Sequence, residues 1–229
     1  MTLHRFFVPA EAVGDERFAV PASIERQVRS VLRLGDGDRV VLLTGDGNEM
    51  VCRLDRDQCV VEERRPSPGE PTHRLTVLQA LLKGDALETV IRHGTELGVA
   101  SFGLLVTERC VAREISERKL ERLRAIAREA AEQSERGIVP PIEAPVPFGE
   151  ALAPGSVLLF ERSGGARLGE LDAPRTVIIG PEGGFSPVEV GAAEESGVQL
   201  AWLGPRILRS ETVALAAAAV ILSRTGDFA

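Results

Sequence analysis

Two glycine-led turns carry the residues best suited to chemistry. The first, Gly180–Gly184 (GPEGG), follows a β-branched run, Thr176–Ile179. The second, Leu203–Thr212 (LGPRILRSET), combines two arginines with a serine, a glutamate and a threonine at a helix start. Turns that follow neighbouring parallel strands meet at the carboxyl edge of the sheet, where α/β proteins bind ligands. We therefore expect the active site at this edge.

The GPEGG turn does not match the common phosphate-binding motifs. It is not G-x-G-x-x-G, and no lysine followed by serine or threonine makes it a P-loop. The acidic Glu182 also argues against a polyphosphate ligand. Glycines here let some other ligand approach the backbone closely, although a tight turn needed only for topology would have the same sequence. Ser186, Pro187 and Glu189 predict a capping box at the helix that follows, and Asp85 with Glu88 has the same spacing at an earlier helix start.

The second turn contains one residue that helix formation does not explain. Ser210 can cap a helix and Glu211 complements its dipole. Arg209 places a cation beside the positive end of the same helix, which is unfavourable. This placement indicates a functional role, such as holding an anion.

The elements that position these turns form two patterns. From Leu75–Leu82 onward, strands alternate with helices, which predicts an α/β domain with a mainly parallel sheet covered on both faces. Before it come an opening strand at His4–Val8, a short helix ended by Gly35, and three strand-like runs typical of a meander or small barrel: Arg39–Thr44, Glu49–Asp55 and Gln58–Glu63. The proline-rich stretch Arg64–His73 lies between the patterns and predicts a boundary between domains 1–70 and 71–229.

Two later helices have contrasting surfaces. Ser116–Arg136 mixes basic and acidic residues, which is typical of a solvated face with i to i+4 ion pairs. Val213–Leu222 is apolar on every face, so we expect it to be buried in the core or in a homodimer interface.

Composition narrows the class of protein. The net charge is −7, so only a local basic patch could attract a nucleic acid. The three cysteines lack C-x-x-C spacing and the three histidines are scattered, which argues against a disulfide framework, a metal site and a Ser-His-Asp triad. The longest apolar run is too short to cross a membrane. We expect a soluble cytoplasmic protein without metal.

Seven segments, in order, resemble one family. They are HRFFV, VLRLGDGD, KGDALETVIRHGTELGV, TERCVAR, AREAAEQSERGIVPPI, IIGPEGGFSPVEV and LGPRILRSETVALAA. Together they are similar to the bacterial 16S ribosomal RNA (uridine-N3)-methyltransferases, the RsmE type of the SPOUT superfamily. The resemblance covers nearly the whole chain, and its last two motifs are the most specific.

The resemblance implies more than the residues alone. It implies an N-terminal PUA-like β-barrel for RNA, a C-terminal SPOUT domain with a trefoil knot, and an obligate homodimer. It implies S-adenosylmethionine as cofactor and a uridine of 16S rRNA in the 30S subunit as target. The implied cofactor contacts come from three loops: Phe160, Glu161, Ile179, Gly180, Pro181, Glu182, Gly183, Gly184, Leu203, Gly204, Ile207, Leu208, Arg209, Ser210, Thr212 and Ala214.

Methylation of N3 of uracil then assigns catalytic roles as hypotheses. The developing uracil anion needs a cationic stabiliser, and the N3 proton needs an acceptor. No histidine lies in these loops, so we assign Arg209 as stabiliser and Glu211 or Glu182 as base or orienting group. A helix-dipole or turn role would explain the two glutamates equally well. The candidate RNA contacts are Arg5, Arg29, Arg33, Arg109 and Arg113.

Other functions remain open at this point. A related knotted enzyme could methylate ribose 2′-O or guanine N1. A nucleotide-binding oxidoreductase would need a glycine fingerprint after its first strand, which Leu82-Lys83-Gly84-Asp85 does not supply. A non-catalytic RNA-binding protein would share the fold without methyl transfer.

Overall fold

The chain divides into two compact units. The computed structural model describes residues 3–159 and 165–228. The first unit comprises Met1–Glu70 and Ala131–Val139, and the second comprises Pro71–Ala130 and Pro140–Ala229. The segment Ala131–Val139 thus groups with the first unit, although the sequence pattern assigned it to the second domain.

The first unit is built on a five-stranded mixed sheet. Its strands are β1 (His4–Phe7), β2 (Arg17–Ala19), β3 (Arg39–Leu43), β4 (Asn48–Asp55) and β5 (Gln58–Pro66). The order is β1-β3-β4-β5-β2, with β1 parallel to β3 and every other pairing antiparallel. The predicted meander is therefore present as β3, β4 and β5. Within the described residues the edge strands β1 and β2 do not pair, so no closed barrel is found.

Alternation along β3 gives this sheet two apolar faces. Val40 and Leu42 belong to one cluster of buried residues, and Val41 and Leu43 to another. Successive side chains of a strand point to opposite faces, so both faces are covered. The predicted short helix is α1 (Ala22–Arg26), which continues as a wider π-type turn over Gln27–Val31.

The second unit contains a seven-stranded sheet that is parallel throughout, as the strand–helix alternation predicted. Its strands are β6 (Thr76–Ala80), β7 (Ser101–Val106), β8 (Val146–Pro147), β9 (Val157–Leu159), β10 (Ala166–Arg167), β11 (Thr176–Ile179) and β12 (Gln199–Trp202). They lie in the order β10-β12-β9-β11-β6-β7-β8. This order brings the carboxyl ends of β6, β7, β9, β11 and β12 to one edge.

Four helices of the second unit correspond to predicted ones. They are α2 (Ala86–Glu96), α3 (Glu117–Gln133), α4 (Pro187–Glu195) and α5 (Ser210–Arg224). The last three residues of α3 group with the first unit, and α3 is shorter than predicted because Glu135, just beyond its end, adopts a left-handed conformation with φ 63°.

The capping predictions had different outcomes. The box between Ser186 and Glu189 is formed at α4. At α2 the N-cap is Asp85, but its side chain makes no capping hydrogen bond. Glu88 instead forms an ion pair with Arg122 of α3 at 2.8 Å, so the expected box is absent.

No helix in the described ranges has both the length and the apolar character needed to cross a membrane.

Candidate active site

A cavity of about 1430 Å³ lies in the second unit at the carboxyl edge of the parallel sheet. Its lining includes the last described residue of β9 (Leu159), the ends of β11 and β12, and the loops that follow β6 and β7. The lining residues are Lys83, Ala86, Arg109, Leu159, Ile179, Gly180, Pro181, Glu182, Gly183, Gly184, Phe185, Pro187, Val190, Gly191, Glu194, Trp202, Leu203, Gly204, Arg206, Ile207, Leu208, Arg209, Ser210, Glu211 and Val213. The two glycine-led turns therefore share one cavity.

Most of the implied cofactor contacts line this cavity, including all five of Gly180–Gly184. Two do not: Ala214 is buried in the core at 2% exposure, and Thr212 is exposed on α5 outside the lining. Phe160 and Glu161 lie outside the described residues.

Sequence reasoning missed several lining residues, among them Trp202, Phe185 and the α4 residues Val190 and Glu194. Trp202 ends β12 beside the predicted turn, so its position after a strand was an available signal. The α4 residues had no such signal, because only the packing of that helix brings them to the cavity.

The GPEGG turn depends on its glycines in two different ways. Gly184 has φ +67°, a conformation that costs any residue with a Cβ atom. Gly183 lies so close to Arg109 that an added Cβ would be 3.2 Å from the Arg109 Cβ atom. A carboxylate oxygen of Glu182 in the same turn accepts a hydrogen bond from the backbone N–H of Lys83 at 3.0 Å. One oxygen of this candidate base is thus engaged in holding the turn.

The second turn is attached to the first through Ser210. Its hydroxyl donates to the carbonyl of Gly180 at 2.5 Å and accepts from the side-chain amide of Gln79 at 2.9 Å. In the structure Ser210 is the first residue of α5 and not its N-cap. The N-cap is Arg209, which makes no capping hydrogen bond. Its side chain is exposed at the cavity and has no ion pair among the described residues.

The loop after β7 brings Arg109 to the same cavity. Arg109 Nη1 donates to the carbonyl of Gly183 at 3.0 Å. Arg113 folds back on this loop, donating to the carbonyls of Thr107 at 3.2 Å and Glu108 at 2.7 Å. The structure therefore brings Arg109 into the site and gives Arg113 a bracing position beside it.

The three candidate RNA contacts of the first unit differ in exposure. The Arg5 side chain is 7% exposed, and its guanidinium contacts the carboxylates of Glu135 at 2.9 Å and Glu49 at 3.6 Å. Arg29 is half-buried and donates to the carbonyls of Leu34 and Arg56. Arg33 is exposed in a left-handed conformation with φ 56°. Of these three, Arg33 presents the exposed surface that a phosphate contact requires.

The cavity combines apolar walls with charges of both signs. Ile179, Leu203, Ile207 and Leu208 supply apolar surface. Four cationic side chains (Lys83, Arg109, Arg206 and Arg209) and three carboxylates (Glu182, Glu194 and Glu211) surround it. No cluster of histidine, cysteine or carboxylate side chains suited to a metal ion occurs among residues 3–159 and 165–228. The arrangement suits binding of an organic cofactor and electrostatic stabilisation of an anion.

Comparisons with known proteins agree with this geometry. A family model described as "RNA methyltransferase domain" matches residues 68–222. The ribosomal RNA small subunit methyltransferase E of Synechocystis sp. is 33% identical over 95% of this chain and 77% of its own length. Its Bacillus subtilis counterpart is 32% identical over 91% of this chain and 90% of its own. The crystal structure of the Neisseria gonorrhoeae enzyme bound to S-adenosyl methionine, 29% identical, superposes over all of both chains with a TM-score of 0.89.

Proposed function

Because the chain belongs to the RNA methyltransferase family that includes the ribosomal RNA small subunit methyltransferases E, we propose that it methylates 16S rRNA of the small ribosomal subunit with S-adenosylmethionine. The observation that carries this proposal is the shared cavity formed by Gly180–Gly184 and Leu203–Arg209. We propose N3 of a uridine as the acceptor atom, because the two turn motifs are those that resemble the uridine-N3 enzymes.

The cavity fits S-adenosylmethionine in size and chemistry. Its volume of about 1430 Å³ is sufficient for a cofactor of this size, since small-molecule sites typically occupy roughly 300–1,000 Å³. Gly183, Gly184 and Gly204 allow close approach to the backbone. The apolar side chains suit the adenine ring of the cofactor. The carboxylates suit the positively charged ammonium and sulfonium groups of its methionine part. Bound there, this cofactor supplies an electrophilic methyl group.

The residues of the chain would then act on the acceptor. Loss of the N3 proton leaves negative charge on N3, O2 and O4 of uracil, and a positioned guanidinium stabilises such charge. Arg209 suits this role because its side chain is exposed at the cavity and forms no ion pair among the described residues. Glu211 is a better candidate for the proton acceptor than Glu182, because one Glu182 oxygen already accepts a hydrogen bond from the Lys83 backbone N–H.

Three finer features belong to the same proposal. We propose that the first unit is a PUA-like RNA-binding domain, that the α/β unit is knotted, and that two copies of the chain form the active enzyme. The half-buried residues of α5, including Leu215, Ala216 and Ala219, support the dimer because they leave one apolar side of the helix partly uncovered. We further propose that the enzyme acts in the cytoplasm without metal.

The test is transfer of labelled methyl groups from S-adenosylmethionine to 30S subunits lacking the modification. Digestion of the rRNA and mass analysis should yield 3-methyluridine. Ribose 2′-O-methylation or 1-methylguanosine would assign the chain to another reaction of the superfamily. Absence of transfer with retained 30S binding would identify a non-catalytic RNA-binding protein. Light scattering on the purified protein tests the dimer.

A further inference from the structure

We propose that Glu189 is a positioning residue that holds Arg109 in place for the acceptor RNA. The inference rests on the proposed function. Glu189 is the third residue of α4, it is 8% exposed, and it does not line the cavity. Its side chain nevertheless joins two loops of the site.

The two carboxylate oxygens of Glu189 have different partners. Oε2 accepts from the backbone N–H of Ser186 at 2.9 Å, which completes the capping box of α4. Oε1 accepts from the backbone N–H of Glu108 at 2.7 Å, in the loop that follows β7. A capping box needs only the first bond. The second bond is therefore not explained by capping of the α4 N-terminus.

Glu108 directly precedes Arg109, so the Oε1 bond fixes the backbone from which the Arg109 side chain extends. Arg109 reaches the GPEGG turn and donates to the carbonyl of Gly183 at 3.0 Å. A guanidinium has five N–H donors, so four remain after this bond. Because Arg109 is exposed at the cavity, these donors are available to a phosphate or base of the substrate.

The loop is braced from its other side as well. The hydroxyl and the backbone N–H of Thr107 contact Cys110 Sγ at 3.2 and 3.4 Å. Arg113 donates to the Thr107 and Glu108 carbonyls. Glu189 is the acidic side chain of this set, and its replacement by glutamine keeps the size while turning one acceptor oxygen into a donor. The amide has a single acceptor oxygen, so it cannot offer separate oxygens to the backbone N–H groups of Ser186 and Glu108 as the carboxylate does.

The experiment is a double-mutant cycle on binding to 30S subunits, with the full-length protein. Arg109→Ala should raise the Kd about tenfold, in the range expected for one charge-assisted contact. Glu189→Gln should raise it several-fold. If Glu189 acts through Arg109, the double variant should bind no more weakly than Arg109→Ala alone. In every variant the affinity for S-adenosylmethionine should fall less than the affinity for 30S subunits.

Ser186→Ala is the matched control. It removes the hydroxyl that accepts from the Glu189 backbone N–H at 3.3 Å and leaves the Glu189–Glu108 bond intact. It should lower the melting temperature by a few degrees, as loss of a helix cap does, without changing the Kd for 30S subunits.

Three results would overturn the inference. The losses from Arg109→Ala and Glu189→Gln could multiply in the double variant, or Glu189→Gln could weaken cofactor and 30S binding equally. Ser186→Ala could also match Glu189→Gln in 30S binding, which would reduce Glu189 to a helix cap. If wild-type protein neither binds 30S subunits nor methylates them, the proposed function fails together with this inference.

Discussion

The hydroxyl of Ser210 donates a 2.5 Å hydrogen bond to the carbonyl of Gly180, so the two glycine-led turns are joined directly. Both residues line the cavity, and Ser210 is 7% exposed. The same hydroxyl accepts from Gln79 at the end of β6. One buried hydroxyl thus connects a strand end, the GPEGG turn and the start of α5.

Removal of this hydroxyl should therefore affect both stability and cofactor binding. We expect Ser210→Ala to destabilise the protein by about 1–3 kcal/mol, because the Gln79 side-chain amide and the Gly180 carbonyl both lose the hydroxyl that they contact. Affinity for S-adenosylmethionine should fall as well, since two walls of the cavity lose their link. Thermal unfolding and calorimetric titration measure the two effects. Ser223→Ala is the control, because this exposed residue lies on the same helix and, in the described part of the chain, its hydroxyl donates to the Val220 carbonyl alone. Equal melting temperatures for the two variants would contradict the prediction.

Gly184 should tolerate alanine less well than its open surroundings suggest. Among residues 3–159 and 165–228, no atom lies within 4 Å of a Cβ added there, so the expected cost comes from φ +67°. We expect Gly184→Ala to lower the free energy of unfolding by about 1–2 kcal/mol. Gly169→Ala is the matched control, because it also has open space but no positive φ. Denaturant unfolding compares the two, and equal midpoints would show that the turn accommodates a side chain.

Arg5 should prove to be a stability residue. Its guanidinium faces Glu49, whose side chain is 0% exposed and which Arg65 also contacts at 2.5 Å. Removing one partner of a buried ion pair costs about 3–5 kcal/mol, and the remaining Arg65 contact should bring Arg5→Ala to the lower end. Arg33→Ala should leave the melting temperature unchanged and weaken 30S binding at low salt. The opposite assignment, with Arg5→Ala affecting only RNA binding, would place Arg5 in the RNA contact surface.

The fold was predictable wherever an element is long enough to show a period. Strand–helix alternation predicted the parallel sheet, and the runs at Arg39–Thr44, Glu49–Asp55 and Gln58–Glu63 predicted β3, β4 and β5. The strands β2, β8 and β10 were missed, because they have two or three residues and form through pairing with distant strands. Hydrophobic alternation cannot be read from so few residues.

The site was predictable in its turns but not in its long-range contacts. Glycine, arginine and a helix start are local signals, so both turns were found. The pairing of Arg5 with Glu49 and the bond from Glu189 to Glu108 join residues 44 and 81 positions apart. Such contacts depend on strand order and helix packing, which one sequence does not reveal. A buried arginine and a bridging glutamate therefore look like surface residues from the sequence.

Trp202 should report cofactor binding without a label. It is the single tryptophan of a chain that has no tyrosine, it is half-buried, and it lines the cavity beneath the guanidinium of Arg167 at 5.2 Å. Titration with S-adenosylmethionine should shift its emission to shorter wavelength in a saturable manner, because the ligand displaces water from the indole. A calorimetric titration provides the independent Kd. If calorimetry detects binding while the Trp202 emission stays unchanged, the ligand does not bind next to β12.

Arg209 provides the most direct test of the chemistry. If its guanidinium stabilises the uracil anion, Arg209→Ala should lower kcat for 30S methylation by roughly 10²–10³-fold, the range found when one oxyanion donor is removed. The Kd for S-adenosylmethionine, followed by Trp202 emission, should change far less. Arg206→Ala is the control, because Arg206 is an exposed arginine on the same loop that also lines the cavity, and its loss should raise KM more than it lowers kcat. Single-turnover methylation separates the chemical step from product release. A near wild-type rate for Arg209→Ala would remove this residue from the mechanism, and a cofactor Kd raised as much as kcat is lowered would make it a cofactor contact instead.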